Sequence, residues 1–345
     1  MADMLSDFDF LDIRNQVINY QMKQVHEFNL MLIGSMGSGK STLVKSLFNG
    51  MIRPDDPSGE AKLNEYTTLL QSNAVKLQVK CIETSNYVQH NIKDYVKYID
   101  KQFNTYFVDQ CRHSSWEVQD NRVHACIYMI LSNGKLNLSK SDIDCMLALH
   151  EKVNLIPVIA KADTFNKEDL AKFKENIKSD LDSNGINFFK FLFDEKEDEE
   201  RAKAVKTKAD KFPFALVAAH APEPETGEWT RSTICGKINI NDDRVCDFQA
   251  FKKLLLRHCM FNLIVTTHDQ HYTKFRTDAL ARGNDYLYDI GLQMHEVELL
   301  DRATKPPSFK QAKDYVLYER SQRIAKVREM RVEELRHKML MGLKN

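Results

Sequence analysis

Apolar residues along the chain gather in short, nearly unbroken runs separated by stretches with helical spacing. Phe28 to Ile33 is one such run and closes on Gly34; Val123 to Leu131, Val153 to Ala160 and Phe214 to Ala218 are others. Strands of a parallel sheet read this way, because helices cover both faces and leave no polar side. Val75 to Ile82 alternates instead, through Val75, Leu77, Val79 and Cys81. Helical spacing appears in Ser41 to Phe48 and in Ile92 to Phe107, the latter through Tyr95, Val96, Ile99, Phe103 and Tyr106. Ser141 to His150 predicts a short serine-capped helix, with Asp142 and Asp144 near its positive end. Residues 53–65, with two prolines and several charges, predict a loop. Alternation of strand and helix from 28 to about 265 predicts an α/β fold with a doubly wound sheet. Residues 1–27 carry a looser helical pattern (Phe8, Leu11, Val17, Ile18). Beyond Asp289 the composition changes, and residues 301–345 hold 12 Lys/Arg against 6 Asp/Glu. The expected organisation is a helical segment 1–27, a main domain 28–290 and a helical extension 291–345. In that extension Tyr315 to Leu340 is expected to dock on the domain or a partner rather than run as a long coiled coil.

Composition narrows the class. With 345 residues, 43% apolar, the chain can bury a full core; Lys plus Arg and Asp plus Glu are equal at 49. Even charge gives no global attraction to nucleic acid or to an anionic membrane, so no nucleic-acid partner is expected. The longest apolar runs are too short to cross a bilayer, and the acidic N-terminus has no apolar signal core. Seven cysteines without a CxxC pair suit free thiols in a reducing compartment, and Cys81 and Cys126 read as packing residues. A cytoplasmic protein is expected. Asp194 to Glu200 reads as a solvated acidic loop. His268 and His271 could in principle share a metal, but no third ligand stands at a fitting spacing.

The chemistry lies in two short segments. Gly34-Ser35-Met36-Gly37-Ser38-Gly39-Lys40-Ser41, followed by Thr42, satisfies GxxxxGK[ST] between a predicted strand and a predicted helix. Glycines let backbone amides turn onto phosphates. Lys40 reaches the β- and γ-phosphates, Ser41 presents its hydroxyl to Mg²⁺, and the helix aims its positive end at the anion. At the end of the strand closing on Ala160 stand Lys161 and Asp163. An aspartate there can accept from the N1–H and exocyclic amine of guanine, while the lysine stem covers the ring. Adenine offers no such donor pair, and ligands bind at the carboxyl ends of strands in this architecture.

The chain resembles the septins. The resemblance rests on Phe28 to Gly34 with the phosphate loop, Asp120-Asn121-Arg122-Val123-His124, and His150 to Thr164 ending in Ala160-Lys161-Ala162-Asp163-Thr164. It rests also on Phe212 to Ala215, Asp247-Phe248, and Thr267-His268-Asp269 with His271-Tyr272 and Arg276. It implies a P-loop GTPase domain with a septin-specific closing element and terminal helices, binding GTP or GDP with Mg²⁺. It further implies a cytoskeletal subunit that assembles with other septin subunits into hetero-oligomeric filaments at the cell cortex and cleavage furrow, one contact forming a dimer across the nucleotide site. By the same resemblance Arg231 packs on the base, Ala218 belongs to the last nucleotide loop, and His150 and Thr164 lie at the interface across the nucleotide.

Departures from that pattern bear on mechanism. Where a GTPase has DxxG, this chain has Glu83-Thr84-Ser85-Asn86; the switch threonine has no clear match, with Glu60 near its place. Loss of the glycine amide that senses the γ-phosphate predicts weak or absent hydrolysis, leaving a mainly structural nucleotide, either GTP or GDP. The alternatives are an active GTPase switch enzyme in which Glu83 serves, and an interaction module with an empty pocket. Cys235 stands in place of the usual tryptophan, and Ala218-Ala219-His220 lacks the usual glycine. Residues 15–27 hold only Lys23 and His26 as a basic stretch, so membrane association is expected to be weak.

Overall fold

The computed structural model describes residues 24–300 except 53–62, 73–74, 85–91, 113–117, 133, 135, 192–198, 234–235 and 298–299, together with 16, 20 and 22. The chain divides into two compact units, 1–290 and 291–345. The terminal helix expected over 315–340, most of segment 1–27, the acidic run from Asp194 to Asp198 and Cys235 lie outside the described residues; Glu199 and Glu200, expected in that loop, open a helix.

In the first unit a six-stranded sheet runs in the order β2-β3-β1-β4-β5-β6. Its strands are β1 (Val25–Gly34), β2 (Leu63–Ser72), β3 (Val75–Thr84), β4 (Ala125–Ile130), β5 (Leu155–Ile159) and β6 (Phe214–Ala215). All neighbours are parallel except β2, which folds back antiparallel on β3. The intervening helices are α1 (Lys40–Leu47), α2 (Ile92–Arg112), α3 (Lys140–Leu149), α4 (Lys167–Ser183) and α5 (Glu199–Ala209). The expected doubly wound α/β sheet is present. Phe28, Leu30 and Leu32 are buried with Leu43 and Val44 of α1, while Met31 and Ile33, on the alternate positions of β1, are buried as well. Burial on both faces is the reason β1 reads as an unbroken apolar run. Ser139 caps α3, its side chain accepting from the amide of Asp142. A two-stranded ribbon, β7 (Thr230–Thr233) with β8 (Gly236–Asn239), follows the sheet.

Residues 63–65, expected in a loop, instead open strand β2. On it Asn64, Tyr66, Thr68 and Leu70 are half-buried and their odd-numbered neighbours from Glu65 to Gln71 are exposed. The period of two is there, but an edge strand covered on one side carries it largely in polar residues, so a search for apolar alternation passes over it.

The closing element is a helical run, α6 (Phe248–Lys252), α7 (Met260–Thr266), α8 (Thr273–Ala281) and α9 (Asn284–Asp289), with π-helical turns at Lys253–His258 and Thr267–Tyr272. The segment Asp120 to His124 fastens this run to the amino ends of β1 and β4. Arg122 places Nη2 2.6 Å from Asp120 Oδ2, and its guanidinium stacks 3.7 Å from the Tyr106 ring centre and 5.0 Å from that of Tyr272. Its remaining nitrogen Nη1 lies 3.1 Å from His268 Nδ1. Asn154 donates to the His124 and Leu263 carbonyls, and His271 faces the Glu151 carbonyl and Asn154. Both histidines of the 268/271 pair are therefore engaged in holding the helix to the sheet.

Candidate nucleotide site

The glycine loop leaves β1 where that strand pairs with β4, Gly34 lying opposite Met129. A Cβ on Gly34 would stand 2.8 Å from the Met129 carbonyl oxygen and 2.9 Å from its Cβ, so no larger residue fits without moving the backbone. Gly39 caps α1 with φ of 93°, a left-handed conformation that costs other residues strain. Lys40 is 5% exposed and folds back over the loop, its ammonium donating to the Gly34 carbonyl at 3.0 Å and the Ser35 carbonyl at 3.2 Å. Burial pushes its pKa down, and the neighbouring Glu83 charge partly opposes that shift. Ser38 Oγ is buried with no hydrogen-bond partner among the described residues.

Substituting Gly34 by alanine tests how tightly this loop is set. The added methyl must displace backbone rather than a flexible side-chain end, so a loss of about 1–3 kcal/mol is expected. Thermal denaturation with and without added nucleotide measures it, and an unchanged midpoint would contradict the close packing of β1 on β4.

The second wall comes from β5 and β7. Lys161 leaves β5 in a left-handed conformation, φ 53°. The turn it makes is closed by Thr164, whose hydroxyl donates to the Lys161 carbonyl at 2.8 Å, while the Ala162 amide reaches the Leu216 carbonyl at 3.1 Å. Asp163 has a side chain 5% exposed; its Oδ2 lies 3.1 Å from Arg231 Nε, and its Oδ1 is buried without a partner among the described residues. Ala219 is tied to α1, its amide and carbonyl both bonded to the Ser46 hydroxyl. A cavity of about 400 Å³ opens between these walls, lined by Gly37 to Leu43, Met129, Lys161, Leu216, Ala218 and Arg231.

At the α1 end, Ser41 donates to Glu83 Oε2 at 2.6 Å, and the other carboxylate oxygen of Glu83 accepts from the Tyr66 hydroxyl. Glu83, at 4% exposure, thus has both oxygens engaged.

Of the residues read from the sequence, Gly37, Ser38, Gly39, Lys40, Ser41, Thr42, Lys161, Ala218 and Arg231 come together on one cavity. Gly34 supports it from beneath, and Asp163 meets it through Arg231. His150 does not join them. It caps α3 ahead of β5, accepts from the Asn187 amide at 3.2 Å and lines a different cavity beside Leu155 and His271, at the end of β5 opposite Lys161. The interface role across the nucleotide expected for His150 therefore fails, because a parallel strand separates its two ends by its full length. Ser85, Asn86 and Glu60 lie outside the described residues. Tyr66 and Ser46 were not singled out in the sequence; the half-polar alternation of β2 is the signal that could have found Tyr66.

A parallel sheet with a glycine loop between β1 and α1, and a cavity at the strands' carboxyl ends, defines the class of P-loop GTPase folds. Comparison with known proteins gives the family. Residues 8–287 match the family model described as Septin. The chain is 34% identical over 291 residues to Septin-14 of Homo sapiens, covering 81% of this chain and 66% of that protein. It is 32% identical over 289 residues to Septin-5 of Rattus norvegicus (79% and 78%) and 31% identical over 290 residues to Septin-1 of Drosophila melanogaster (79% and 80%). In fold it is similar to the crystal structure of the septin GTPase domain from Chlamydomonas reinhardtii, with TM-score 0.58 and 19% identity over 74% of this chain and all of that one. The chain belongs to the septin family, the GTP-binding subunits of the septin cytoskeleton, which assemble with one another. Among the described residues no helix is long and apolar enough to cross a membrane.

Proposed function

We propose that the cavity between the glycine loop and β5 holds a guanine nucleotide that this subunit keeps mainly as a structural part and hydrolyses weakly or not at all. The observation that carries the reading is the Asp163–Arg231 pair and the phosphate loop converging on one cavity, with Asp163 Oδ1 buried and unpaired. An orphaned buried carboxylate oxygen costs free energy until a donor meets it, and the N1–H and exocyclic amine of guanine are such donors. Gly34 to Thr42 take the phosphates, Lys40 exchanging its two carbonyl acceptors for phosphate oxygens. The Lys161 stem and Arg231 cover the base, and Ala218 lies beside it. Ser41 Oγ and the Glu83 carboxylate are hard oxygen donors that suit Mg²⁺, which when bound would neutralise phosphate charge. Weak turnover is expected from the missing DxxG glycine, since an asparagine at 86 restricts the backbone turn that glycine would allow beside the γ-phosphate. On this reading residues 28–290 form the GTP-binding domain, 291–345 a helical extension and 1–27 a short helical lead. The subunit pairs with another septin across the nucleotide and works in hetero-oligomeric filaments at the cell cortex and cleavage furrow, with weak membrane association and no nucleic-acid partner.

A second reading, an active GTPase switch, is favoured by one contact alone, Ser41 with Glu83, which preserves a carboxylate on the Mg²⁺ side. Denaturing the purified protein and identifying the released nucleotide by ion-exchange chromatography separates the cases. Near-stoichiometric guanine nucleotide is expected, with single-turnover hydrolysis in Mg²⁺ near background. Rapid hydrolysis abolished by Glu83→Ala would establish the switch, and absence of any nucleotide would sink both.

A further inference from the structure

We infer that Tyr66 is a positioning residue for the Mg²⁺ side of the nucleotide site, a role that rests on the nucleotide reading above. Tyr66 pairs with Cys81 in the β2–β3 register, and Glu83 with Asn64. Cys81 and Glu83 are two apart on β3, so Tyr66 and Glu83 stand on the same face as diagonal neighbours, the offset that long aromatic side chains span. The Tyr66 hydroxyl donates to one oxygen of Glu83 while Ser41 donates to the other at 2.6 Å.

The need for such a partner follows from the arm. A glutamate has one more rotatable bond than the aspartate of DxxG, and each unfixed side-chain torsion costs entropy when the carboxylate must occupy one place. Buried carboxylates also need donors for their lone pairs. Tyr66 meets both needs: it fixes one oxygen and thereby directs the other at Ser41. With the Ser41 proton donated to Glu83, the lone pairs of the Ser41 oxygen remain for a cation. The extra methylene of Glu83 is thus matched by a tyrosine from the antiparallel edge strand, and the cation side of the site persists although the γ-phosphate side has lost its glycine.

The test is the release rate of a fluorescent N-methylanthraniloyl GDP from the full chain, measured in excess Mg²⁺ and in EDTA. Wild type should release faster in EDTA, and Ser41→Ala should erase that difference. Tyr66→Phe should shrink the EDTA-to-Mg²⁺ ratio by about tenfold or more, the worth of one hydrogen bond to a charged group, through faster release in Mg²⁺ alone. Glu83→Gln should follow it. A Tyr66→Phe protein with the wild-type ratio would overturn the inference. Equal acceleration in both conditions would likewise overturn it, reducing Tyr66 to a tie between β2 and β3. Wild type insensitive to EDTA would overturn it while leaving nucleotide binding intact, whereas wild type that binds no GDP analogue would refute the nucleotide reading itself.

Discussion

Replacing Lys40 by alanine is expected to empty the pocket of nucleotide, with affinity for GDP and GTP falling by about 100-fold or more. The magnitude follows from charge-assisted hydrogen bonds to phosphate, worth about 1.5–3 kcal/mol each, at about 1.4 kcal/mol per tenfold. The cost to the empty fold is smaller. Lys40 there donates to the Gly34 and Ser35 carbonyls at 3.0 and 3.2 Å, and a bond of that kind to backbone contributes roughly 1 kcal/mol net. Binding and stability should therefore separate: nucleotide released on denaturation drops to a trace, while the circular dichroism spectrum stays native. On the proposed pairing across the nucleotide, sedimentation should show the dimer weakened in parallel. A Lys40→Ala protein that still carries nucleotide would mean the glycine loop is not the phosphate site.

The second large effect is on the fold. Arg122→Met should destabilise the first unit by about 3 kcal/mol, the low end for breaking a buried pair, because half-buried Asp120 loses its guanidinium and keeps His124. The Arg122 side chain is 3% exposed, its guanidinium lies over the Tyr106 ring and beside Tyr272, and it joins Asp120 to His268 on the closing helix. At about 2–4 °C per kcal/mol the midpoint should fall by roughly 10 °C. Adding Asp120→Asn should recover part of the loss, since the double variant no longer holds a carboxylate without its guanidinium. Burial alone would raise the Asp120 pKa, but hydrogen bonds from Arg122 and His124 override it and hold the carboxyl well below the usual carboxylate range. A depressed folded-state pKa stabilises above the unfolded value of about 3.9 and loses that contribution as pH falls toward the folded value. Wild type should thus lose stability below about pH 4. Arg122→Met should lose less over the same interval, and identical acid profiles would rule out the ion pair as the source.

How far the site could be read in advance depended on where its parts lie along the chain. The phosphate loop is contiguous, so its residue types and spacing dictate its geometry: Gly34 because Met129 leaves no room, Gly39 because the cap is left-handed. Lys161 and Asp163 were legible for a similar reason, standing two residues apart directly after a buried strand. His150 belonged to a stretch with a clear resemblance, yet sequence proximity to Lys161 misled, since β5 lies between them.

By itself the sequence determined the order of strands and helices, the parallel character of the sheet, the phosphate loop and the family, all of which follow from local periodicity and contiguous motifs. Tertiary structure alone decided which distant side chains meet. Tyr66 reaches Glu83 because an antiparallel edge strand sets them diagonally on one face, and Arg231 reaches Asp163 because a ribbon some seventy residues onward folds back over β5. Arg122 lies over the ring of Tyr106 and beside that of Tyr272, tyrosines of two helices that only packing brings together. Pairings of this kind depend on the path of the chain: a local pattern of apolar and polar residues settles which side chains share a face, not which distant residue they meet.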